Sequence, residues 1–392
     1  MELERIQEAL RERKLDGWLF CDFHNRDHLA YRILGLDMKR LTSRRWFYFI
    51  PAKGQPRALV HNVEKERLDG LPGAKQVYYP WEQLHASLRK MLGAKKKIAM
   101  QYSPKNNIPP VSLVDAGTFE LVKSFGHKIV SSADLVQMFE SVIDEAGYRS
   151  HKEAGVIVDR VRAEAFAQIA RGIASGTRVT EYEITQFITR RFAENGMESD
   201  DPPIVGSNEH PANPHFESTP ANDRPFKRGD SVLIDLWAKL KKPKAIYYDI
   251  TWVGYIGDSP SEKYREIFTT VKTARDAAVR FLQQRFADGK PCYGWEVDDA
   301  CRAVVKKAGY GKQFVHRTGH SIGEEVHGNG VNIDNLETRD ERRIIPGCCF
   351  SIEPGIYLDG VMAARTEINV FVRHDGVPEV TGEVQQELVR IP

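Results

Sequence analysis

The sequence predicts an α/β domain followed by an α+β domain built from two similar halves. Helix-like and strand-like segments alternate through residues 1–145, which suits a mixed sheet with helices packed on it. Across residues 146–392, an order of long helix, short helix and strands occurs twice, with little identity between the copies. A length of 392 residues leaves each domain enough chain for a core of its own.

In the first domain Leu3, Ile6 and Leu10 fall on one helical stripe, and residues 18–20, 46–50 and 97–100 have the composition of buried strands. His24, Asp27 and His28 lie close together without a companion motif and read as loop residues. In the second domain Ser150 and Glu153 have capping-box spacing ahead of an apolar stripe through Ile157, Val158, Val161, Ala165 and Ile169. Thr180 and Glu183 open the next helix, which ends near Gly196. Ser259 and Glu262 open a third, with Pro260 at its first position. A shorter helix over residues 295–308 is stopped by Gly309 and Gly311. The crevice between two such halves is a natural place for a site.

Composition narrows the classes. Lys and Arg number 56 against 54 Asp and Glu, a net charge of +2, which argues against a field-driven nucleic-acid binder. The basic runs at 95–97 and 239–244 are short and read as solvated turns. No apolar run reaches membrane-spanning length, and the acidic, amphipathic start is unlike a signal peptide. Five cysteines without a CxxC pair point to free thiols in a reducing cytoplasm.

The chemistry gathers in the second domain. Asp235 and Asp249 stand in strand-forming segments separated by a basic, proline-containing piece that suits a hairpin tip. Antiparallel pairing can bring both onto one face. Glu353 and Glu367 are expected on two further strands, with Arg365 two residues from Glu367 and so on its face, where a guanidinium can orient a carboxylate. His316, His320 and His327 fall within a dozen residues, and Gly319 and Gly323 between them permit close backbone approach. His215 closes a separate loop segment. Four carboxylates with one imidazole are what a pair of divalent cations asks for; without cations such a cluster must protonate or repel.

These segments, in this order, resemble the pita-bread metallopeptidases, the family of methionine aminopeptidase, aminopeptidase P and prolidase. HRTGHSIG at 316–323, FSIEPGIY at 350–357 and Arg-Thr-Glu at 365–367 carry the resemblance. It covers residues 150–392, and the N-terminal domain is similar to the one found in the prolidase, aminopeptidase P and creatinase branch. The resemblance implies a curved antiparallel sheet covered by helices, with Asp249 and Glu367 bridging two metals, Asp235 completing one shell, and His320 and Glu353 the other. It implies that His215 and His327 hold the scissile carbonyl, that His316 lines the proline pocket, and that Glu353 moves the proton of a metal-bridging hydroxide. The expected ions are two Mn²⁺, with Co²⁺, Fe²⁺ or Zn²⁺ as alternatives.

The implied activity is cleavage of Xaa-Pro bonds at the N-terminus of small peptides by a cytoplasmic homodimer, without nucleic acid or membrane partners. This chain departs from the family at Trp237, where glycine is common, at Trp252, where arginine is common, and in a longer loop between the aspartates. The two tryptophans are expected to reshape the pocket, and they keep open a metal-dependent hydrolase or lyase of a small non-peptide substrate. A metal-free amidinohydrolase like creatinase, or a non-catalytic binding module, fits less well, because all five ligand positions are filled.

Overall fold

The computed structural model describes residues 1–392, in two compact units, Met1–Glu140 and Ser141–Pro392. No helix is long and apolar enough to cross a membrane. All five cysteines are free.

The first unit begins with α1 (Leu3–Glu12), whose Ile6 and Leu10 are fully buried. There follow β1 (Gly17–Asp22), α2 (His28–Leu34), β2 (Trp46–Pro51), β3 (Arg57–His61) and β4 (Ala74–Tyr78). Next come α3 (Trp81–Leu92), β5 (Lys97–Met100), α4 (Ala116–Ser124), β6 (Lys128–Ser131) and the short α5 (Ala133–Val136). The six strands form one mixed sheet in the order β4-β3-β2-β1-β5-β6, parallel at β3–β4, β1–β5 and β5–β6. Asp27 caps α2, accepting from the Ala30 N–H at 2.9 Å.

The second unit opens with α6 (Glu145–Ser175), which starts well before the Ser150 cap that the sequence suggests. Asp144 is its cap, accepting from the Gly147 N–H at 2.8 Å. Ser150 is instead buried within the helix. Its hydroxyl donates to the Gly147 carbonyl at 2.7 Å and accepts from the Ile246 N–H at 3.0 Å. The capping box of Thr180 and Glu183 does open α7 (Glu181–Glu194). After β7 (Met197–Glu198) and β8 (Ile204–Ser207) come the long strands β9 (Ser231–Leu240) and β10 (Tyr248–Ile256). Next, α8 (Glu262–Ala287) is capped by Ser261, two residues past the expected Ser259, so Pro260 stands before the cap. α9 (Gly294–Lys307) ends at the left-handed Gly309. The chain closes with β11 (Cys349–Ile352), β12 (Gly355–Leu358), β13 (Met362–Arg365), β14 (Ile368–Val372), β15 (Pro378–Val380) and β16 (Val389–Ile391).

Strand alternation places the site. On β9, Val232, Ile234, Leu236 and Ala238 pack against Val158, Val161, Ile184 and Ile188 of α6 and α7. Leu233 points the other way, into the core that Val271 of α8 and Val297 of α9 share with Phe350, Ile356 and Val370. Each such aliphatic side chain contributes about 1.5–3 kcal/mol when fully buried, so a one-residue slip of register is strongly disfavoured. Asp235 and Trp237 share the parity of Leu233. Antiparallel pairing sets Asp249 opposite Trp237 and Thr251 opposite Asp235. Both aspartates and Thr251 therefore face one side of the hairpin. Trp252 pairs with Ile234 on the other side, under the Arg162 guanidinium at 3.6 Å from the ring centroid. The expected effect of Trp252 on the pocket is corrected: it belongs to the helix-facing core.

Candidate metal centre

His215, Asp235, Asp249, His316, His320, His327, Glu353, Arg365 and Glu367 all line one cavity of about 380 Å³ in the second unit. Asp235 and Asp249 come from neighbouring strands of the hairpin. Glu353 and Glu367 do not stand within strands, as the sequence suggested. Glu353 lies in the break between β11 and β12, where Pro354 has no N–H for a ladder, and Glu367 in the break between β13 and β14. The Glu367 N–H donates to the Thr251 carbonyl at 3.1 Å, which pins that break against β10.

His320 arrives on a loop laid along β11. The Ser351 N–H donates to the His320 carbonyl at 2.9 Å, and the Glu353 N–H to the Thr318 carbonyl at 2.7 Å. Gly319 makes this approach possible: a Cβ there would sit 1.9 Å from the Ser351 carbonyl oxygen. Gly323, expected to serve likewise, has nothing within 4 Å of such a Cβ. Behind the loop, Asp298 accepts from the Thr318 N–H and hydroxyl at 3.0 and 2.6 Å, and Arg302 grips its two oxygens, each at 2.9 Å.

The centre is rich in acceptors and poor in donors. The His320 Nδ1 lies 3.1 Å from the Ser321 carbonyl, which can only accept, so Nδ1 carries the proton and Nε2 presents a lone pair. That lone pair faces Asp249 Oδ2 at 3.4 Å and Glu353 Oε1 at 3.5 Å. Ligand atoms of Asp249, His320 and Glu367 lie within 4.8 Å of one another. Asp249 Oδ1 and Glu367 Oε1 are buried without any hydrogen-bond partner. Buried carboxylate oxygens are normally satisfied. Orphaned oxygens on two carboxylates grouped with an imidazole lone pair are what a cation site leaves when only protein atoms are considered.

The donors that do reach the cluster hold its edge. Arg365 pairs with Asp235 Oδ2, and its Nε donates to the Thr251 hydroxyl at 2.9 Å. The Thr251 hydroxyl lies 2.7 Å from Glu367 Oε2 and 3.0 Å from Asp235 Oδ1. Arg365 also reaches the Tyr357 hydroxyl at 3.4 Å, and Tyr357 donates to His316 Nε2 at 2.8 Å. His316 Nδ1–H in turn donates to the Arg317 carbonyl at 2.7 Å, so both of its nitrogens are engaged. Ser351 joins Glu353 Oε1 at 3.1 Å.

Electrostatics follow from this geometry. Burial, reinforced by neighbouring carboxylates, raises Asp249 and Glu367 well above the ordinary range and Asp235 to about 7. Glu353 is the exception. Burial works against its ionisation, but attraction to the His320 and His316 rings and to the Arg365 guanidinium holds it below its usual value. Burial likewise pushes His320 and His316 towards neutrality. His327, whose ring centroid is 4.4 Å from that of His320, is lowered to about 4 by burial and then by His320 and Arg317. His215 stands exposed on its loop.

Sequence reasoning assigned no role to Thr251, Ser351, Tyr357 or Arg317, which also belongs to the cavity lining. Thr251 carried a signal, since two residues from Asp249 on a strand is the same face. The others had none beyond lying within the motifs.

A sequence model of metallopeptidase family M24 matches residues 149–374. Among curated relatives, the Mycobacterium tuberculosis protein named "Probable dipeptidase PepE" is 29% identical over 272 residues, 69% of this chain and 66% of that protein. The chain thus spans just under two thirds of that relative's length. The Pyrococcus furiosus Xaa-Pro dipeptidase is 28% identical over 298 residues, covering 75% of this chain and 79% of that protein. Among solved structures, dipeptidase PepE from Mycobacterium ulcerans superposes with a TM-score of 0.71 at 25% identity, over 100% of this chain and 97% of that one.

Proposed function

The chain belongs to metallopeptidase family M24, and from that premise we propose that it hydrolyses the bond between an N-terminal residue and a following proline in short peptides, using two divalent cations. One observation carries the reading. Asp249, His320 and Glu367 bring ligand atoms within 4.8 Å of one another, and both carboxylates keep a buried oxygen without a hydrogen-bond partner. Asp235, Asp249, His320, Glu353 and Glu367 are the residues that would hold the ions. Oxygen-rich ligands with a single imidazole suit Mn²⁺. Cations bound there supply Lewis acidity and lower the pKa of water towards neutrality.

The chain's own residues do the rest. Ionised Glu353 can accept a proton and pass it to the leaving nitrogen, which must be protonated to depart. His215 and His327 can each donate a ring N–H to the carbonyl oxygen as it gains negative charge. Trp237, Ile204 and Val326 give the cavity an apolar wall for a substrate side chain or pyrrolidine ring. Proline selectivity is drawn from the relatives named Xaa-Pro dipeptidase.

Ala-Pro, Ala-Pro-Ala and Ala-Leu, incubated with the Mn²⁺-loaded protein, test this directly. Cleavage of the proline peptides well ahead of Ala-Leu is expected. If no Xaa-Pro peptide is cleaved while metal is demonstrably bound, the reading fails. Trp237 in the cavity wall favours a second reading, a small non-peptide substrate for the same metal-dependent chemistry. A panel of esters and amides on the same preparation distinguishes the two.

A further inference from the structure

His320 owes its place to Asp298 and Arg302 behind its loop. The loop of His215 has a brace of its own, which the proposed reaction does not use. Glu181, the first residue of α7, is fully buried. Its Oε1 accepts from the Ser207 N–H and hydroxyl, each at 2.6 Å, and its Oε2 accepts from His210 Nδ1 at 2.7 Å. Arg224 Nη2 lies 2.8 Å from His210 Nε2 and 2.6 Å from Glu209 Oε1. A guanidinium can only donate, so Nε2 accepts and Nδ1 carries the proton that Glu181 receives. Both nitrogens of His210 are thus engaged, and the ring cannot turn over without losing both bonds.

The ends of the loop are anchored as well. The Asn208 N–H donates to the Ser231 carbonyl at 3.1 Å, and Asn208 Oδ1 accepts from the Ser231 N–H at 3.0 Å. This ties the start of the loop to β9, the strand of Asp235. At the other end Phe216 is buried in the core shared with α8 and α9, and the His210 ring stacks on it with centroids 4.3 Å apart and planes at 28°. His215 stands between these anchors, exposed and lining the cavity. The hydrogen bond it makes is through its backbone N–H, to Asn213 Oδ1 at 3.1 Å, so its ring inherits its position from the loop. An apolar cluster would hold such a loop without burying a charge. Directional bonds to both nitrogens of His210 fix one orientation of its ring instead.

We propose that His210, locked between Glu181 and Arg224, is a positioning residue that aims His215 at the substrate's carbonyl oxygen through its stack on Phe216. This rests on the reading of His215 as a donor to that oxygen, but not on a preference for proline.

The test is a double-mutant cycle. Mn²⁺-loaded wild type, His210→Ala, His215→Ala and the double variant are assayed on whichever of Ala-Pro and Ala-Leu is cleaved faster. A group misplaced by about 1 Å costs up to about 100-fold, so His210→Ala is expected to lower kcat by about 10- to 100-fold. KM should stay within about twofold, because the bond to the oxygen strengthens only as charge develops. Mn²⁺ affinity should not change. In the His215→Ala background the same substitution should cost less than about twofold, since the residue it aims is gone. His210→Asn keeps a side-chain N–H for Glu181 and should regain part of kcat; it also serves if alanine unfolds the chain.

A second readout needs no turnover. In protein labelled with ¹⁵N-histidine and loaded with diamagnetic Zn²⁺, the His215 backbone amide is expected to have an order parameter of about 0.85 in wild type and below about 0.6 in His210→Ala. The amide of His151, buried in α6, should not change. If His215→Ala keeps the wild-type kcat, the reading of His215 is what fails, and the amide alone judges whether His210 holds its loop. An undiminished cost of His210→Ala in the His215→Ala background, or an unchanged order parameter at His215, overturns the proposal.

Discussion

Asp249→Asn should act with opposite signs in the metal-free and metal-loaded protein. Without metal, Asp249 places one oxygen 3.4 Å from the His320 lone pair and leaves the other unpartnered beside Glu367. The amide introduced by the substitution supplies an N–H for one of these acceptors, worth about 1 kcal/mol. For a unit of this size, 1 kcal/mol moves the midpoint by about 2–4 °C, so the chelated variant should melt that much higher than chelated wild type. With Mn²⁺ at 100 times its dissociation constant, wild type gains about 2.7 kcal/mol, or roughly 5–11 °C. The variant has lost a ligand and should gain almost none of this. Scanning calorimetry of chelated protein, with and without added Mn²⁺, reads both effects. A chelated variant that melts several degrees below wild type, or one that keeps the full Mn²⁺ shift, would refute a cation site built around Asp249.

Other outcomes follow from the packing around the site. His151 is buried between the Tyr247 carbonyl at 2.6 Å and the Thr381 hydroxyl at 2.7 Å, and burial lowers it from 6.5 to about 4. The unfolded chain therefore binds its proton first as pH falls. About 3 kcal/mol of stability should be lost between pH 6.5 and 4, levelling off below, and urea unfolding of His151→Asn should lack this part of the slope. Gly319→Ala drives a methyl into the Ser351 carbonyl and should pry the His320 loop off β11, weakening Mn²⁺ affinity by at least tenfold in a titration; unchanged affinity would count against the role given to this approach. Trp252→Phe, on the helix-facing side, should leave KM within twofold of wild type, whereas Trp237→Gly should change KM and the ranking of dipeptide substrates. Steady-state kinetics on one panel decides both.

The hairpin of Asp235 and Asp249 was legible because a strand alternates faces, and the same parity already separates Trp252 from Asp249, three residues apart. Trp252 follows the Asp249 segment closely in sequence, yet its side chain falls on the opposite face, against Ile234. The helix start at Ser150 misled because Ser-x-x-Glu spacing also occurs inside helices. There the hydroxyl turns back to the Gly147 carbonyl, and Asp144 has already capped the end. Glu353 and Glu367 read as strand residues because their flanks are strand-like. Pro354 interrupts one ladder, and the other breaks where Glu367 is drawn onto β10 by a long-range hydrogen bond that no local pattern announces. The same holds for Tyr357 and Ser351, whose hydroxyls gain meaning only from partners brought together by the fold.

The most direct measurement pairs elemental analysis of the purified protein with the rate of Ala-Pro hydrolysis as metal is removed and restored. The account predicts two divalent cations per chain, loss of cleavage on chelation, and recovery with Mn²⁺. Cleavage that persists in fully chelated protein, or a metal-loaded protein inert towards every Xaa-Pro peptide, would contradict it.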